Sequence, residues 1–158
     1  MANDDVSGIF ADDAVVGTVR TLGTHTVTEQ EIVDFAGAWD PQFFHTDAAA
    51  AQGSVFGGLI ASGIHTLAVY QRLEVQSRNM HWHVIAGAGV EGLRFLRPVR
   101  PGDALTGAST LTACQLEPDR RRGLLTFDGQ LVNQDGKVVM DMTMAAYLHM
   151  RELIGRSL

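Results

Sequence analysis

The sequence has 158 residues, a size that suits one domain. Hydrophobic residues make up 46% and charged residues 19%, so the chain can build a core and wholesale disorder is excluded. The net charge of -6 argues against a nucleic-acid partner, and no apolar run is long enough to span a membrane. Residues 1–8 lack the pattern of a secretory signal, so we expect a cytoplasmic protein.

The first part of the chain predicts a polar lead-in followed by a strand. Residues 1–13 form the lead-in, and we expect the folded domain to cover residues 14–158. β-Branched residues with glycine breaks indicate a strand over residues 15–27.

Two short helices are expected next. Thr28 and Glu31 have the identity and spacing of a capping box, and the apolar residues that follow predict a helix over residues 29–38. Pro41 ends this helix, because the residue before a proline is pushed out of the helical region. Four alanines at positions 48–51 indicate a second short helix.

A nearly apolar helix and four long strands complete the pattern. The helix is predicted over residues 58–73, and its few polar positions indicate that it is mostly buried. Turn signals separate four predicted strands, over residues 82–96, 104–116, 122–132 and 138–150. Strands at hairpin spacing imply an antiparallel sheet, and burying the helix requires the sheet to wrap around it. The sequence therefore predicts a single α+β domain.

A carboxylate and an imidazole lie five residues apart in the segment Asp40-Pro41-Gln42-Phe43-Phe44-His45. Such a pair can add water to a polarised double bond or remove it, since one group accepts a proton and the other returns one. The reaction also needs donors for the negative charge that develops on a carbonyl oxygen. The start of the long helix offers unpaired N–H groups, and Gly57, Gly58 and Gly63 permit close approach to that backbone.

The stretch 35–63 resembles the MaoC-like dehydratases, the (R)-specific enoyl-CoA hydratases of the hot-dog fold. Asp40 and His45 match the catalytic pair of that family in type and spacing, and Asp47 matches the acidic residue that follows. The resemblance implies a hot-dog domain, with an antiparallel sheet wrapped around a long central helix. It also implies that the amide of Gly63, 18 residues after His45, helps to form an oxyanion hole.

The resemblance extends to residues that would contact substrate. Residues 58–63 match the helix entry of the family, and residues 94–103 are similar to its strand-to-turn stretch near the acyl-CoA site. Glutamine and phenylalanine replace the asparagine and proline of the family signature at positions 42 and 43, which leaves the size of the substrate open. The residues expected to bind substrate are Gln42, Phe43, Phe44, Gly58, Ser62, Arg94 and Arg97.

The function implied by the resemblance is hydration of a trans-2-enoyl thioester to a (3R)-hydroxyacyl product, or the reverse dehydration. The substrate would be an acyl-CoA or an acyl carrier protein thioester, with no metal ion and no other cofactor. A homodimer or a multiple of dimers is expected, because one wrapped sheet leaves an edge and an apolar flank to cover.

Several alternatives remain open at this stage. A thioesterase of the same fold would use a carboxylate and a helix N-terminus to attack the carbonyl carbon, and a third possibility is a non-catalytic acyl-binding subunit. Asp40 and His45 could also serve only as a turn residue and a helix cap. His65, His81 and His83 form a weakly supported candidate metal site, and Cys114 reads as a buried apolar residue.

Overall fold

Five antiparallel strands form one sheet in the computed structural model, which describes residues 7–151. The order across the sheet is β1-β3-β4-β5-β2, so that β1 and β2 are its edges. The strands are β1 (Val19–Thr26), β2 (Val84–Phe95), β3 (Ala104–Glu117), β4 (Arg122–Val132) and β5 (Val138–His149). The predicted antiparallel sheet is confirmed, and each of the last four strands lies within two residues of its predicted bounds.

Helices connect β1 to β2 and lie against one face of the sheet. They are α1 (Glu29–Trp39), α2 (Phe43–Thr46), α3 (Ala48–Ala51) and α4 (Gly63–Gln76). Single 3₁₀ turns at Ala11–Asp13 and Pro118–Arg120 complete the described structure. Between residues 7 and 151, no helix combines the length and apolar character needed to cross a membrane.

The predicted capping box sets the start of α1. The Thr28 hydroxyl accepts a hydrogen bond from the Glu31 N–H at 3.1 Å, and the Glu31 carboxylate accepts one from the Thr28 N–H at 2.8 Å. Ile32 and Ala36 are buried on the inner face of the helix. Since Pro41 follows, α1 ends at Trp39.

The predicted start of the long helix at Gly58 is wrong, because residues 59–62 are not helical. The Ile60 N–H donates to the carbonyl of Phe44 at 3.1 Å, and the Ala61 N–H donates to that of Val99 at 2.8 Å. These bonds replace helical ones, so α4 begins only at Gly63. We refer to residues 59–62 as the strap, since they join α2 to the turn after β2.

The expectation that the long helix is mostly buried holds for one of its faces only. Tyr70 and Leu73 are buried against the sheet, where α4 packs mainly on β1 and β3. On the opposite flank, Ile64 is 54% exposed and Val75 is 49% exposed. The helix therefore leaves an apolar flank uncovered.

The first strand starts later than predicted. The carbonyl of Val15 accepts a hydrogen bond from the Thr18 N–H, and Gly17 has a φ of +94°, so a turn occupies positions 15–18. Residues 1–6 of the predicted lead-in lie outside the described residues. Ala11, in the remainder of that segment, is buried in a second apolar cluster with Leu111, Leu125 and Leu148.

We expect two glycine-to-alanine changes to act in opposite directions. A Cβ atom at Gly129 in β4 would lie 2.5 Å from the Tyr70 hydroxyl oxygen, whereas one at Gly37 in α1 meets nothing within 4 Å. Gly129→Ala should therefore lower the free energy of unfolding by about 1–3 kcal/mol through overpacking. Gly37→Ala should raise it by roughly 0.5–1 kcal/mol, since alanine favours the helix.

Urea unfolding of both variants measures these changes. A Gly129→Ala protein as stable as the wild type would show that the Tyr70 ring can move off the strand without cost.

Candidate active site

The predicted carboxylate and imidazole meet where α1 ends and α2 begins. Asp40 follows the last residue of α1, and His45 lies in the single turn of α2. The His45 Nε2 atom is 3.4 Å from Oδ2 of Asp40, and His45 is only 5% exposed. The short connection through Pro41 turns the chain back on itself, so Asp40 and His45 are in contact although they are five positions apart in the sequence.

A backbone acceptor orients the His45 ring. Nδ1 of His45 lies 2.6 Å from the carbonyl oxygen of Ile60, in the strap. A carbonyl oxygen can only accept, so Nδ1 carries the hydrogen and donates it. In the neutral ring the lone pair is therefore on Nε2, the atom that faces Asp40.

Two side-chain donors occupy the Asp40 carboxylate. The Ser62 hydroxyl donates to Oδ2 at 2.6 Å, and the Gln42 amide donates to Oδ1 at 2.8 Å. The Ser62 hydrogen bond, followed by that of Gln42, lowers the pKa of Asp40 below its usual value, and the nearby His45 acts in the same direction. Asp40 is therefore held in its ionised form at neutral pH.

Ser62 and Gln42 thus have a position that the sequence did not predict. Both were expected to contact substrate, and in the structure their side-chain donors are directed at Asp40. Ser62 is fully buried, so its hydroxyl acts from within the protein. Their hydrogen bonds hold the Asp40 carboxylate in one orientation and favour its ionised form.

Gly63 opens α4 beside this pair, and no side chain fits at its position. Its N–H lies in the first helical turn, where backbone N–H groups have no intrahelical acceptor. A Cβ atom at Gly63 would lie 2.5 Å from Cε2 of Phe95, so the aromatic ring packs directly on the glycine. The positive end of the α4 dipole and this N–H together favour negative charge at the helix entry.

A cavity of about 310 Å³ opens beside His45 and the α4 entry. Its walls include three aromatic rings, from Phe44, Phe56 and Phe95, and the side chain of Arg97. The Phe44 ring contacts the rings of both His45 and Phe56, with centroid distances of 4.5 and 5.5 Å. His45 and the α4 entry therefore face a mostly apolar space of limited size.

The remaining predicted residues lie at different distances from this cavity. Phe44 and Arg97 line it, and Gly58 is buried beside the guanidinium of Arg100. Phe43 is 51% exposed and packs edge-on against Phe44. Arg94 lines a different cavity of about 410 Å³, where it forms a two-pronged ion pair with Asp141 at 2.9 and 2.6 Å. The structure does not bring Arg94 to the acid–base pair.

Sequence reasoning missed three contributors to the site. The Ile60 carbonyl is a backbone group, so no side-chain motif marks its role. Phe56 and Phe95 line the cavity, and of these two only Phe95 lies within the stretch that the sequence predicted to be near the substrate.

The three histidines considered as metal ligands make other contacts: His65 stacks on Phe35, and His81 contacts His83. Across residues 7–151, no three His, Cys, Asp or Glu side chains come together as a metal ion would require.

Comparisons with known proteins show which family the chain belongs to. Residues 13–123 match the family model described as a MaoC like domain. A MaoC-like dehydratase from Rhodospirillum rubrum is 39% identical with a TM-score of 0.82, over 92% of this chain and 100% of that one. The R-hydratase PhaJ1 from Pseudomonas aeruginosa is 25% identical with a TM-score of 0.73, over 92% of this chain and 88% of that one.

A curated relative is the 3-hydroxyacyl-thioester dehydratase Z of Mycobacterium tuberculosis. It is 34% identical over 92 residues, which cover 57% of this chain and 61% of that protein. The match thus spans less than two thirds of the relative. With the family model covering most of the chain and the fold shared along nearly all of it, the chain belongs to the MaoC-like dehydratase family and has its hot-dog fold.

Proposed function

We propose that the protein adds water to trans-2-enoyl thioesters to give (3R)-hydroxyacyl thioesters, and catalyses the reverse dehydration. The observation that carries this proposal is the 3.4 Å contact between Asp40 and His45 at the entry of α4. Further support comes from the relatives, since one is named an R-hydratase and another a 3-hydroxyacyl-thioester dehydratase.

The thioester carbonyl oxygen would accept a hydrogen bond from the Gly63 N–H. Attack of water at C3 moves negative charge onto this oxygen, so a donor at the helix entry stabilises the transition state more than the ground state. The Phe44, Phe56 and Phe95 rings line the space in which the enoyl group would lie. Apolar walls strengthen the electrostatic effect of the single N–H, because they exclude water.

The acid–base steps follow from the protonation states of the pair. His45 Nε2 accepts a proton from water as the water oxygen bonds to C3 and the C2–C3 π electrons move toward the carbonyl. The same nitrogen then returns the proton to C2, which completes the addition. Asp40, held ionised by Ser62 and Gln42, orients the water and stabilises the imidazolium that forms between these two steps.

Arg97 is the cationic side chain at the cavity and is a candidate for contact with the carrier of the acyl group. Both coenzyme A and acyl carrier protein present a phosphate to such a group, so Arg97 serves either carrier.

A thioesterase remains the second candidate function, and incubation with crotonyl-CoA distinguishes it from a hydratase. Loss of the enoyl-thioester absorbance without release of free coenzyme A indicates the hydratase.

We also propose a homodimer in which the β2 strands of two copies pair edge to edge. β2 is an edge strand with apolar side chains at the surface, among them Ile85, Val90 and Phe95. The exposed flank of α4 is a further apolar surface for a second copy to cover.

Replacing either member of the pair should lower kcat for crotonyl-CoA hydration by about 10²-fold or more while the fold stays intact. The variants are Asp40→Asn and His45→Gln, and the exposed Asp34→Asn is the matched control, which should hydrate at the wild-type rate. Absorbance of the enoyl thioester measures the rate, and circular dichroism confirms the fold. Near-normal hydration by either active-site variant would rule out the assigned roles.

Removing the Ser62 donor should move the acidic limb of the pH–rate profile to higher pH. The Ser62 hydrogen bond stabilises the ionised form of Asp40, so its loss in Ser62→Ala raises the pKa of that carboxyl. Gln42→Ala should shift the limb in the same direction but less, since its contribution to the pKa is smaller. The measurement is kcat/KM for crotonyl-CoA across the acidic range. An unmoved limb in Ser62→Ala would mean that a group other than Asp40 sets it.

A charge placed on β2 should break the dimer, whereas the same charge on the opposite edge should not. Ile85→Lys lies on β2 and Val19→Lys lies on β1, and both positions are exposed in the single chain. Sedimentation at micromolar concentration should show dimers for the wild type and Val19→Lys, and monomers for Ile85→Lys. Monomers in the wild type would contradict the proposed pairing.

A further inference from the structure

A second cavity, of about 490 Å³, lies between the C-terminal half of α4 and strands β2 to β5. Most of its walls are apolar, formed by Val84, Val90, Phe127, Met144, Ala146 and Leu148. The cavity takes no part in the chemistry assigned to Asp40 and His45. Its far end is polar, however, and this end is what distinguishes it from an ordinary gap in the core.

Two buried polar atoms at this cavity have no well-formed hydrogen bond among the described residues. They are the hydroxyl oxygen of Ser109 and Nε of Arg78. Ser109 is 2% exposed and lies on the inward face of β3, in a row whose neighbours are Gly107 and Leu111. An unpaired buried polar group is costly, so both atoms point to a hydrogen-bonding group supplied by a ligand.

The Tyr70 hydroxyl lies beside Ser109 and extends the polar end. Its oxygen would be 2.5 Å from a Cβ atom on Gly129, and Gly129 is the residue paired with Ser109 across β3 and β4. The two hydroxyls are close enough to interact with each other, and two hydroxyls bonded to each other still leave one hydrogen to donate to a ligand.

The charges around Arg78 favour an acceptor oxygen. Arg20 and Arg78 both pair with the buried carboxylate of Glu74, and both guanidinium groups stack on Trp82, at 4.5 and 4.8 Å from its ring centre. Two cations against one anion leave the cluster with a net positive charge. The stacking also holds the Arg78 side chain in place, so that its free N–H is presented without further ordering.

This cavity follows the catalytic one along the same helix. Thr66 lines the catalytic cavity, and Tyr70, one turn later on α4, lines the second. Strand β2 borders both, with Phe95 at the first and Val90 at the second. Seven residues separate Gly63 from Tyr70, which corresponds to about 10 Å along the helix axis. An acyl chain of about this length therefore ends at the polar group, if its thioester lies at Gly63 and its tail follows α4.

We infer that this cavity binds the far end of the acyl chain and selects chains that carry an oxygen function there, such as a hydroxyl, a ketone or a carboxylate. An oxygen at that point accepts hydrogen bonds from Ser109 and from Arg78. A hydrocarbon tail of the same length leaves both donors unpaired in apolar surroundings. The acyl chain as ligand rests on the proposed function, whereas the oxygen preference depends on the cavity alone.

Binding of unreactive saturated thioesters tests the inference. Calorimetry compares the Kd of octanoyl-, decanoyl- and dodecanoyl-CoA with those of the same chains bearing a terminal hydroxyl. At the length that reaches the cavity, the hydroxylated chain should bind about tenfold more tightly, the effect of one to two recovered hydrogen bonds. Equal affinities within all three pairs would overturn the inference.

Two variants on β3 test whether Ser109 causes the preference for chains that carry an oxygen. Ser109→Ala removes the hydroxyl and should reduce or abolish the preference, chiefly through tighter binding of the hydrocarbon chain. Thr110→Ala, on the opposite face of the same strand, should keep the wild-type ratio. A Ser109→Ala protein with the full preference would contradict the role of this cavity.

Crotonyl-CoA separates this inference from the proposed function. Its chain is too short to reach Ser109, so Ser109→Ala should hydrate it as the wild type does. If the wild type fails to hydrate crotonyl-CoA, the proposed function is wrong, and the calorimetric ratios still decide whether the cavity prefers an oxygen.

Discussion

The hydrogen bond between Nδ1 of His45 and the carbonyl of Ile60 is the contact on which the site depends. It places the ring hydrogen on one nitrogen and so directs the lone pair of the other toward Asp40. The strap that supplies this carbonyl is itself held on both sides, by Phe44 and by Val99. The strap therefore determines which nitrogen of His45 carries the hydrogen, how the His45 ring is oriented and where α4 begins.

The strap also explains why the carboxylate is kept ionised. Ser62, its last residue, donates to Asp40, while the next residue begins α4. One short segment thus orients the imidazole through a backbone carbonyl and holds the carboxylate through a hydroxyl. In the proposed mechanism the two groups have different roles, since Asp40 stays charged and His45 exchanges the proton.

Much of the fold, and the proximity of Asp40 and His45, could be predicted from the sequence, because those features have side-chain signatures. The capping box of Thr28 and Glu31 marked α1, turn residues marked the four long strands, and the spacing of Asp40 and His45 marked the pair. The strap could not be predicted, since a short apolar run before a helix has the same pattern as the helix itself. A backbone acceptor such as Ile60 carries no sequence signal at all.

Arg94 was expected near the substrate because residues 94–103 are similar to a strand-to-turn stretch of the family. That resemblance does not determine which cavity the side chain lines. The pairing of β2 with β5 shifts register between Glu91 and Arg94, so the alternation of faces along the strand is interrupted there. Arg94 consequently pairs with Asp141 in a cavity apart from the catalytic one.

The site is assembled largely within one short stretch of chain. The bonds that hold the pair join residues 15 and 22 positions apart, whereas the cavity walls combine residues of that stretch with others from β2, the turn after it and β5. Loops of that length close at little entropic cost, so the acid–base geometry needs little from the rest of the molecule. The part of the cavity wall that comes from β2, the turn after it and β5 can therefore change in sequence without altering the residues that hold Asp40 and His45 together.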